Sequence, residues 1–106
     1  MSFDMNKMLQ EAQRMQAELA KAQEEAATEV VEASAGGGMV TVKANGAGEV
    51  VSITIDPRAI DPEDPELLAD MVLAAVNEAL RSARSLMEAT VSGLIPGDLG
   101  GLLPGS

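Results

Sequence analysis

The stretch MVTVKANGAGEVVSITI, residues 39–55, decides the fold because two alternating runs flank a turn that contains glycine. In Met39–Ala44 and in Glu49–Ile55, every second residue is apolar: Val40, Val42 and Ala44, then Val51, Ile53 and Ile55. A period of two is typical of a strand with one buried face. Asn45-Gly46-Ala47-Gly48 separates the runs, and its Asn-Gly pair supplies residues that accept a positive φ. The stretch therefore predicts an antiparallel hairpin.

A third strand is predicted just before this hairpin. Thr28–Ser34 contains the Val30-Val31 pair, and Gly36-Gly37-Gly38 separates it from the next strand. Because both connections are short, we expect the three strands to form an antiparallel meander. The glycine triplet lacks the Gly-Lys-Ser/Thr ending of a phosphate-binding loop and precedes a strand, so we interpret it as a hairpin loop.

A long helix is predicted before the strands, from Met5 to Ala26. Its apolar residues recur at alternating intervals of three and four: Met5, Met8, Ala12, Met15, Leu19, Ala22 and Ala26. This is a heptad seam, and the remaining positions carry good helix formers. At 1.5 Å per residue the helix is about 33 Å long, more than a small domain covers with its own core. We therefore expect part of it to project or to pack on a partner chain.

A second long helix is predicted from Pro65 to Val91, with Asp64 as its N-cap. Before it, the proline-rich segment 56–65 is expected to lack regular structure. The inner side of the helix should carry Leu68, Met71, Val72, Ala75, Val76, Ala79, Leu80, Ala83, Leu86 and Met87. The fold class is thus α+β: a long N-terminal helix, a three-stranded antiparallel meander and a long C-terminal helix. We expect residues 1–92 to form one domain and residues 93–106 to be a flexible Gly/Pro/Leu tail.

Composition narrows the possible chemistry. The chain has 106 residues and a net charge of −10, with no Cys and no His. Disulfides, thiol or imidazole catalysis and zinc sites built from those ligands are excluded. A single aromatic residue, Phe3, argues against stacking on unpaired bases. We therefore expect that the protein is not an enzyme and that it binds no cofactor, metal ion or small-molecule substrate. Because the sequence shows no signal peptide and no apolar run long enough to span a membrane, we expect a cytoplasmic protein.

An acidic cluster surrounds the start of the second helix: Asp56, Asp61, Glu63, Asp64 and Glu66. Carboxylates in this density could bind Mg²⁺ or Ca²⁺, or act as an acid and base pair. The cluster lacks the order of a calcium-binding loop, and no nucleophile stands near it. We interpret it as a solvated turn with helix caps.

The cations of the first helix are spaced by seven residues: Lys7, Arg14 and Lys21. They share one outer stripe about 21 Å long, which could contact phosphates. The alternative is ordinary intrahelical pairing, because each is followed four residues later by Glu11, Glu18 or Glu25. Arg81 and Arg84 form a smaller basic spot on the second helix.

Several short strings, in this order and spacing, resemble the YbaB/EbfC family of bacterial nucleoid-associated proteins over about residues 5–91. They are MLQEAQRMQ at 8–16, GGMVTV at 37–42, Asn45-Gly46, Ile55-Asp56-Pro57 and AAVNEA at 74–79. The resemblance implies a homodimer whose projecting helices grip double-stranded DNA, affecting nucleoid organisation or gene expression. Carried onto this chain, the DNA-binding residues would be Lys7, Arg14 and Lys21, followed by Arg81 and Arg84.

Two hypotheses follow, from different functional classes. In the first, a homodimer in the nucleoid binds the backbone of duplex DNA through its basic positions. In the second, a dimeric adaptor binds a protein partner through its methionine-rich first helix and leucine-rich tail, since methionine surfaces adapt to many partners. In either case the dimer or partner interface should include Met5, Met8, Met15 and Leu19.

Overall fold

The computed structural model describes residues 4–94, which form two long helices and one antiparallel sheet. The strand order is β1-β2-β3, with neighbours in the chain adjacent in the sheet. The elements are α1 (Met5–Thr28), β1 (Val30–Ala35), β2 (Val40–Asn45), β3 (Val50–Ile55) and α2 (Pro65–Ser92). The predicted α+β fold is confirmed, with every boundary within two residues of its expected place.

Both helices begin at an aspartate that accepts a hydrogen bond from the first turn. The Asp4 carboxylate accepts from the Lys7 backbone N–H at 3.1 Å, and the Asp64 carboxylate accepts from the Leu67 N–H at 3.3 Å. Pro65 follows Asp64, where its missing N–H costs nothing. The predicted N-cap of the second helix is therefore confirmed.

The expectation of no regular structure in segment 56–65 is wrong at Pro57–Ala59, which forms a short 3₁₀ helix. Asp56 caps it, because its carboxylate accepts from the Arg58 N–H at 2.9 Å. Proline is compatible with the first helical position, since its fixed φ suits a helix. One turn of helix that begins at Pro57 is therefore compatible with this proline-rich segment.

The reason given for the β2–β3 turn is also wrong in part. Neither Asn45 nor Gly46 has a positive φ; in this turn only Gly48 does, at 84°. Gly46 is needed for space, because a Cβ there would lie 2.0 Å from the carbonyl oxygen of Ala26. The end of α1 therefore packs directly against this turn, and the Gly46 N–H donates to the Glu29 carbonyl at 3.1 Å.

The core lies between α2 and the β1 and β2 part of the sheet. The buried residues of this core are small: Val40, Val42, Ala44, Ala75, Ala79 and Ala83. Alanine on α2 lets the helix approach the strands closely, and the predicted inner side of α2 is confirmed because all ten of its residues are buried or half-buried. The opposite face of the sheet carries polar residues such as Lys43.

The first half of α1 extends beyond this core. Every residue from Asp4 to Glu18 is exposed, and burial begins only at Leu19 and becomes complete at Ala26. The C-terminal half packs against α2 and the end of β2. The heptad seam is therefore covered near the sheet and open towards the N-terminus. The predicted tail lies outside the described residues from position 95 onward.

Candidate nucleic-acid interface

The three cations of α1 form one exposed stripe. Lys7, Arg14 and Lys21 are exposed, and all three lie within a single unbroken helix. Seven residues turn an α-helix by almost two full turns, so these side chains leave α1 in nearly the same direction along about 21 Å. Lys7 and Arg14 lie on the projecting half, where no other described element covers them.

The middle cation of this stripe is already paired. The Arg14 guanidinium donates to Glu11 at 2.8 Å and to Glu18 at 2.9 Å. The hydrogen bond and charge of Glu11, with the charge of Glu18, raise the pKa of Arg14 above its ordinary value. Such exposed pairs are weak and exchange readily with other partners. A phosphate approaching Arg14 must nevertheless compete with two carboxylates.

The two lysines differ from Arg14 in this respect. Among residues 4–94, neither Lys7 nor Lys21 takes part in an ion pair. The expected pairs with Glu11 and Glu25 are therefore not formed, whereas the pair of Arg14 with Glu18 is. Sequence reasoning missed the contact between Arg14 and Glu11, which the interval of three residues could have indicated.

The apolar positions of α1 form a second exposed row, here called the methionine row: Met5, Met8 and Met15, with exposed fractions of 66, 56 and 47%. Leu19, the fourth residue of the predicted interface, is half-buried within the chain. Leu9 widens the row and is 57% exposed. Across residues 4–94, no helix has the length and apolarity needed to cross a membrane.

The second basic spot lies on α2, on the side away from the buried Ala79 and Ala83. Arg81 and Arg84 are both exposed, and Arg81 donates to Glu78 at 2.7 Å. No hydrogen bond or ion pair within the described chain joins these arginines to the stripe on α1. The two basic regions are thus separate features of the protomer.

The acidic cluster before α2 acts as a set of turn caps. Asp56 accepts from the Arg58 side chain at 2.8 Å, and this hydrogen bond lowers the pKa of Asp56. Asp61 accepts from the Glu63 N–H at 2.9 Å, and Asp64 caps α2. Within residues 4–94, no group of three or more acidic side chains is placed to hold a metal ion. The cap interpretation is confirmed for these three aspartates.

The sequence of this chain is similar to those of known DNA-binding and nucleoid-associated proteins. The sequence profile of the YbaB/EbfC DNA-binding family matches residues 1–99. A nucleoid-associated protein of Acetivibrio thermocellus is 49% identical, over 93% of this chain and 87% of the relative. Another, from Streptomyces avermitilis, is 48% identical over 96% of this chain and 90% of the relative.

A solved structure shares the fold. It is the crystal structure of an uncharacterized protein from Helicobacter pylori, which is 23% identical in sequence. The match has a TM-score of 0.74 and covers 90% of this chain and 100% of the Helicobacter chain. At that identity the likeness supports the arrangement of helices and strands alone. The family match spans nearly the whole chain, and many curated relatives are named nucleoid-associated proteins. The chain therefore belongs to the YbaB/EbfC DNA-binding family, a bacterial family of nucleoid-associated proteins and not a family of enzymes.

Proposed function

We propose that this protein binds double-stranded DNA as a homodimer, with the stripe Lys7, Arg14 and Lys21 on the phosphate backbone. The observation that carries the proposal is that the first half of α1 projects from the core. This exposed half carries two of the three cations of the stripe, Lys7 and Arg14. Because this half of the helix is not packed against its own domain, its surface is available to another molecule. DNA is the partner that the family indicates.

The cation stripe of α1 is better suited to contacting the phosphate backbone of DNA than to recognising its bases. Lysine is a flexible point charge that interacts with phosphates without a required geometry. Contacts of this kind position a protein on DNA but carry no sequence information. The single aromatic residue of the chain leaves no stacking surface for bases. Binding should therefore depend on salt and only weakly on sequence.

Net charge limits the affinity. Each chain carries −10, so a dimer carries about −20 and repels DNA at long range. At physiological salt the Debye length is about 8 Å, so a local stripe still attracts phosphates that come close. Two stripes in one dimer raise the effective concentration of the second contact. The expected result is weak binding that improves steeply as salt is lowered.

The proposed dimer acts in the bacterial nucleoid, where low-specificity backbone binding organises DNA or alters gene expression. Copies of the protein, or another protein, would meet the exposed residues Met5, Met8 and Met15, with Leu19 at the covered end of the row. Removing this apolar surface from water favours association.

The test is a titration of a duplex oligonucleotide at low salt, using two variants with the same charge change. Lys7→Glu/Lys21→Glu should abolish binding, because it reverses the two unpaired cations of the stripe. Lys43→Glu/Arg58→Glu, on the sheet and the 3₁₀ turn, should leave most of it. Equal binding by the first variant and the parent overturns the stripe assignment. Absence of parent binding at tens of micromolar protein overturns the DNA role.

The adaptor function is the second candidate, and the exposed methionine row favours it. An apolar row on a projecting helix can lie in the groove of a protein partner. Met8→Gln/Met15→Gln would abolish capture of such a partner and leave phosphate contact intact. Measurement of the molecular mass in parallel shows whether these changes also separate the dimer.

A further inference from the structure

The apolar seam of α1 is covered only where α2 lies beside it. α2 starts near the β1–β2 loop, since a Cβ at Gly36 would meet the Met71 side chain. It then runs along β1 and β2 towards the β2–β3 turn, where the end of α1 contacts Gly46. α1 reaches this end of the sheet and α2 leaves from it, so the two helices are antiparallel where they pack, and Ala26 is buried there.

The cover over the seam stops where α2 stops. On α2 the last half-buried residue is Val91, and the helix ends at Ser92. On α1 burial stops at Leu19, and every residue from Asp4 to Glu18 is exposed. The remainder of the seam is the methionine row, which has no cover among residues 4–94.

The chain leaves α2 beside this uncovered part. The Gly93 N–H donates to the Ala89 carbonyl at 2.9 Å, and the Leu94 N–H donates to the Val91 carbonyl at 3.1 Å. Pro96 follows and has no N–H with which to continue a helix. The next residues of the chain therefore start close to the point where the methionine row begins.

The segment that starts here, 95–103, has the composition and the length to cover the row. It contains four large apolar residues and one charged residue, Asp98; the apolar ones are Ile95, Leu99, Leu102 and Leu103. From Met15 to Met5 the row is about 15 Å long. Nine residues of extended chain reach about 30 Å, so the segment spans the row with length to spare.

We propose that segment 95–103 folds back onto the methionine row of its own chain and covers Met15, Met8 and Met5. Burial of apolar surface on both sides favours this contact. Methionine side chains adapt to an irregular segment of this kind. Because both parts belong to one chain, the effective concentration of the segment at the row is high. The inference depends neither on DNA binding nor on the homodimer.

The charges beside the row favour this occupant over a second α1. Asp4, Glu11 and Glu18 recur every seven residues along one side of the methionine row. A second α1 lying parallel on the row would bring a like acidic row next to them, and like charges repel. Segment 95–103 brings a single charge. A nearly uncharged part of the same chain therefore fits this surface better.

The docked segment would separate the two candidate functions of α1. On a helical projection the cation stripe lies about 130° from the centre of the seam. Lys7 and Arg14 therefore stay open to phosphates when the row is covered. A protein partner on the methionine row must instead displace the segment. The segment thus acts as an intrachain competitor for such a partner and leaves DNA contact unaffected.

The first test uses the absence of cysteine in this chain. Met8→Cys/Leu99→Cys places one thiol on the row and one on the segment. Gln10→Cys/Leu99→Cys is the control, because Gln10 is exposed on the opposite side of the same turn of α1. Under mild oxidation of dilute protein, the first variant should form an intrachain disulfide in high yield and the control in low yield. Equal yields overturn the inference, and a covalent dimer as the main product overturns its assignment to the same chain.

The second test measures the cover itself with hydrogen peroxide, which transfers one oxygen atom to a methionine thioether and leaves as water. In Leu102→Ser/Leu103→Ser, the row should be oxidised several-fold faster than in the parent, as followed by peptide mass spectrometry. The neighbouring pair Gly100→Ser/Gly101→Ser should retain the parent rate. Met71, half-buried beside the β1–β2 loop, is an internal reference whose rate should not change.

Equal oxidation of the row in the parent and the leucine variant overturns the inference. Protection that grows with protein concentration assigns the row to a second copy and overturns it as well. Both tests are independent of the duplex titration. Loss of DNA binding overturns the proposed function and leaves this contact standing, whereas an uncovered row leaves the DNA proposal intact.

Discussion

Removal of the two carboxylates that contact Arg14 should strengthen DNA binding. In the protomer, Glu11 and Glu18 occupy the guanidinium at 2.8 and 2.9 Å, so two of the six stripe cations in a dimer are paired. Each phosphate contact contributes about −0.9 to the slope of log K against log salt. The parent dimer, with four available lysines, should have a slope of log K against log salt of about −3.6. A dimer in which both arginines are also available, with six cations, should have a slope of about −5.4. Glu11→Gln/Glu18→Gln should therefore steepen the slope by about 1.8.

The assay is a fluorescence anisotropy titration of a labelled duplex at four or more salt concentrations. Glu63→Gln/Glu66→Gln makes the same change in net charge at exposed positions outside α1, and it controls for the general loss of repulsion. The control should raise affinity slightly and leave the slope near that of the parent. If both double variants gave the same slope, Arg14 would not be an additional phosphate contact, and the reasoning from its ion pairs would be refuted.

Three further predictions concern stability. Gly46→Ala should lower the free energy of unfolding by about 1–3 kcal/mol in urea denaturation, since its Cβ would meet the Ala26 carbonyl at 2.0 Å; a parent-like midpoint would contradict this close contact. Val42→Ala should cost about 2 kcal/mol in the same assay, because Val42 is among the largest fully buried side chains; a change near zero would place it outside the core. Arg58→Gln should raise the pKa of Asp56 in an NMR titration, and an unchanged pKa would refute the pairing. Because the pairing lowers the pKa of Asp56 in the folded parent, the parent should be the more stable protein above about pH 5. This difference in stability should disappear as the pH falls through the folded pKa of Asp56.

Sequence periodicity was sufficient to predict the two long helices and the three strands of this fold. The alternation in residues 39–55 predicted the hairpin. The apolar intervals of three and four predicted α1, and the interval of seven between its cations predicted the stripe. These signals depend on local geometry, which repeats along the chain. The 3₁₀ turn at Pro57–Ala59 was missed because prolines stop long helices but permit a single turn that begins at proline.

Tertiary contacts decided what the sequence left open. Gly46 reads as a turn residue in the sequence, but its requirement comes from the distant Ala26 carbonyl. Ile53 is 46% exposed although it lies on the apolar face of the sheet, because α2 barely reaches β3, and no alternation pattern specifies where the helix crosses. Likewise, Arg14 had two acidic neighbours within helical reach, and only side-chain geometry showed that both contact it.

The claim that the cation stripe of α1 contacts the DNA backbone is tested most directly by the salt dependence of duplex binding by Lys7→Gln/Lys21→Gln. This variant removes the four unpaired stripe cations of a dimer without introducing repulsion. The account predicts that the log–log slope falls from about −3.6 to near zero, together with a large loss of affinity at low salt. A variant that binds with the parent's slope and affinity would contradict the account and place the DNA contact elsewhere on the molecule.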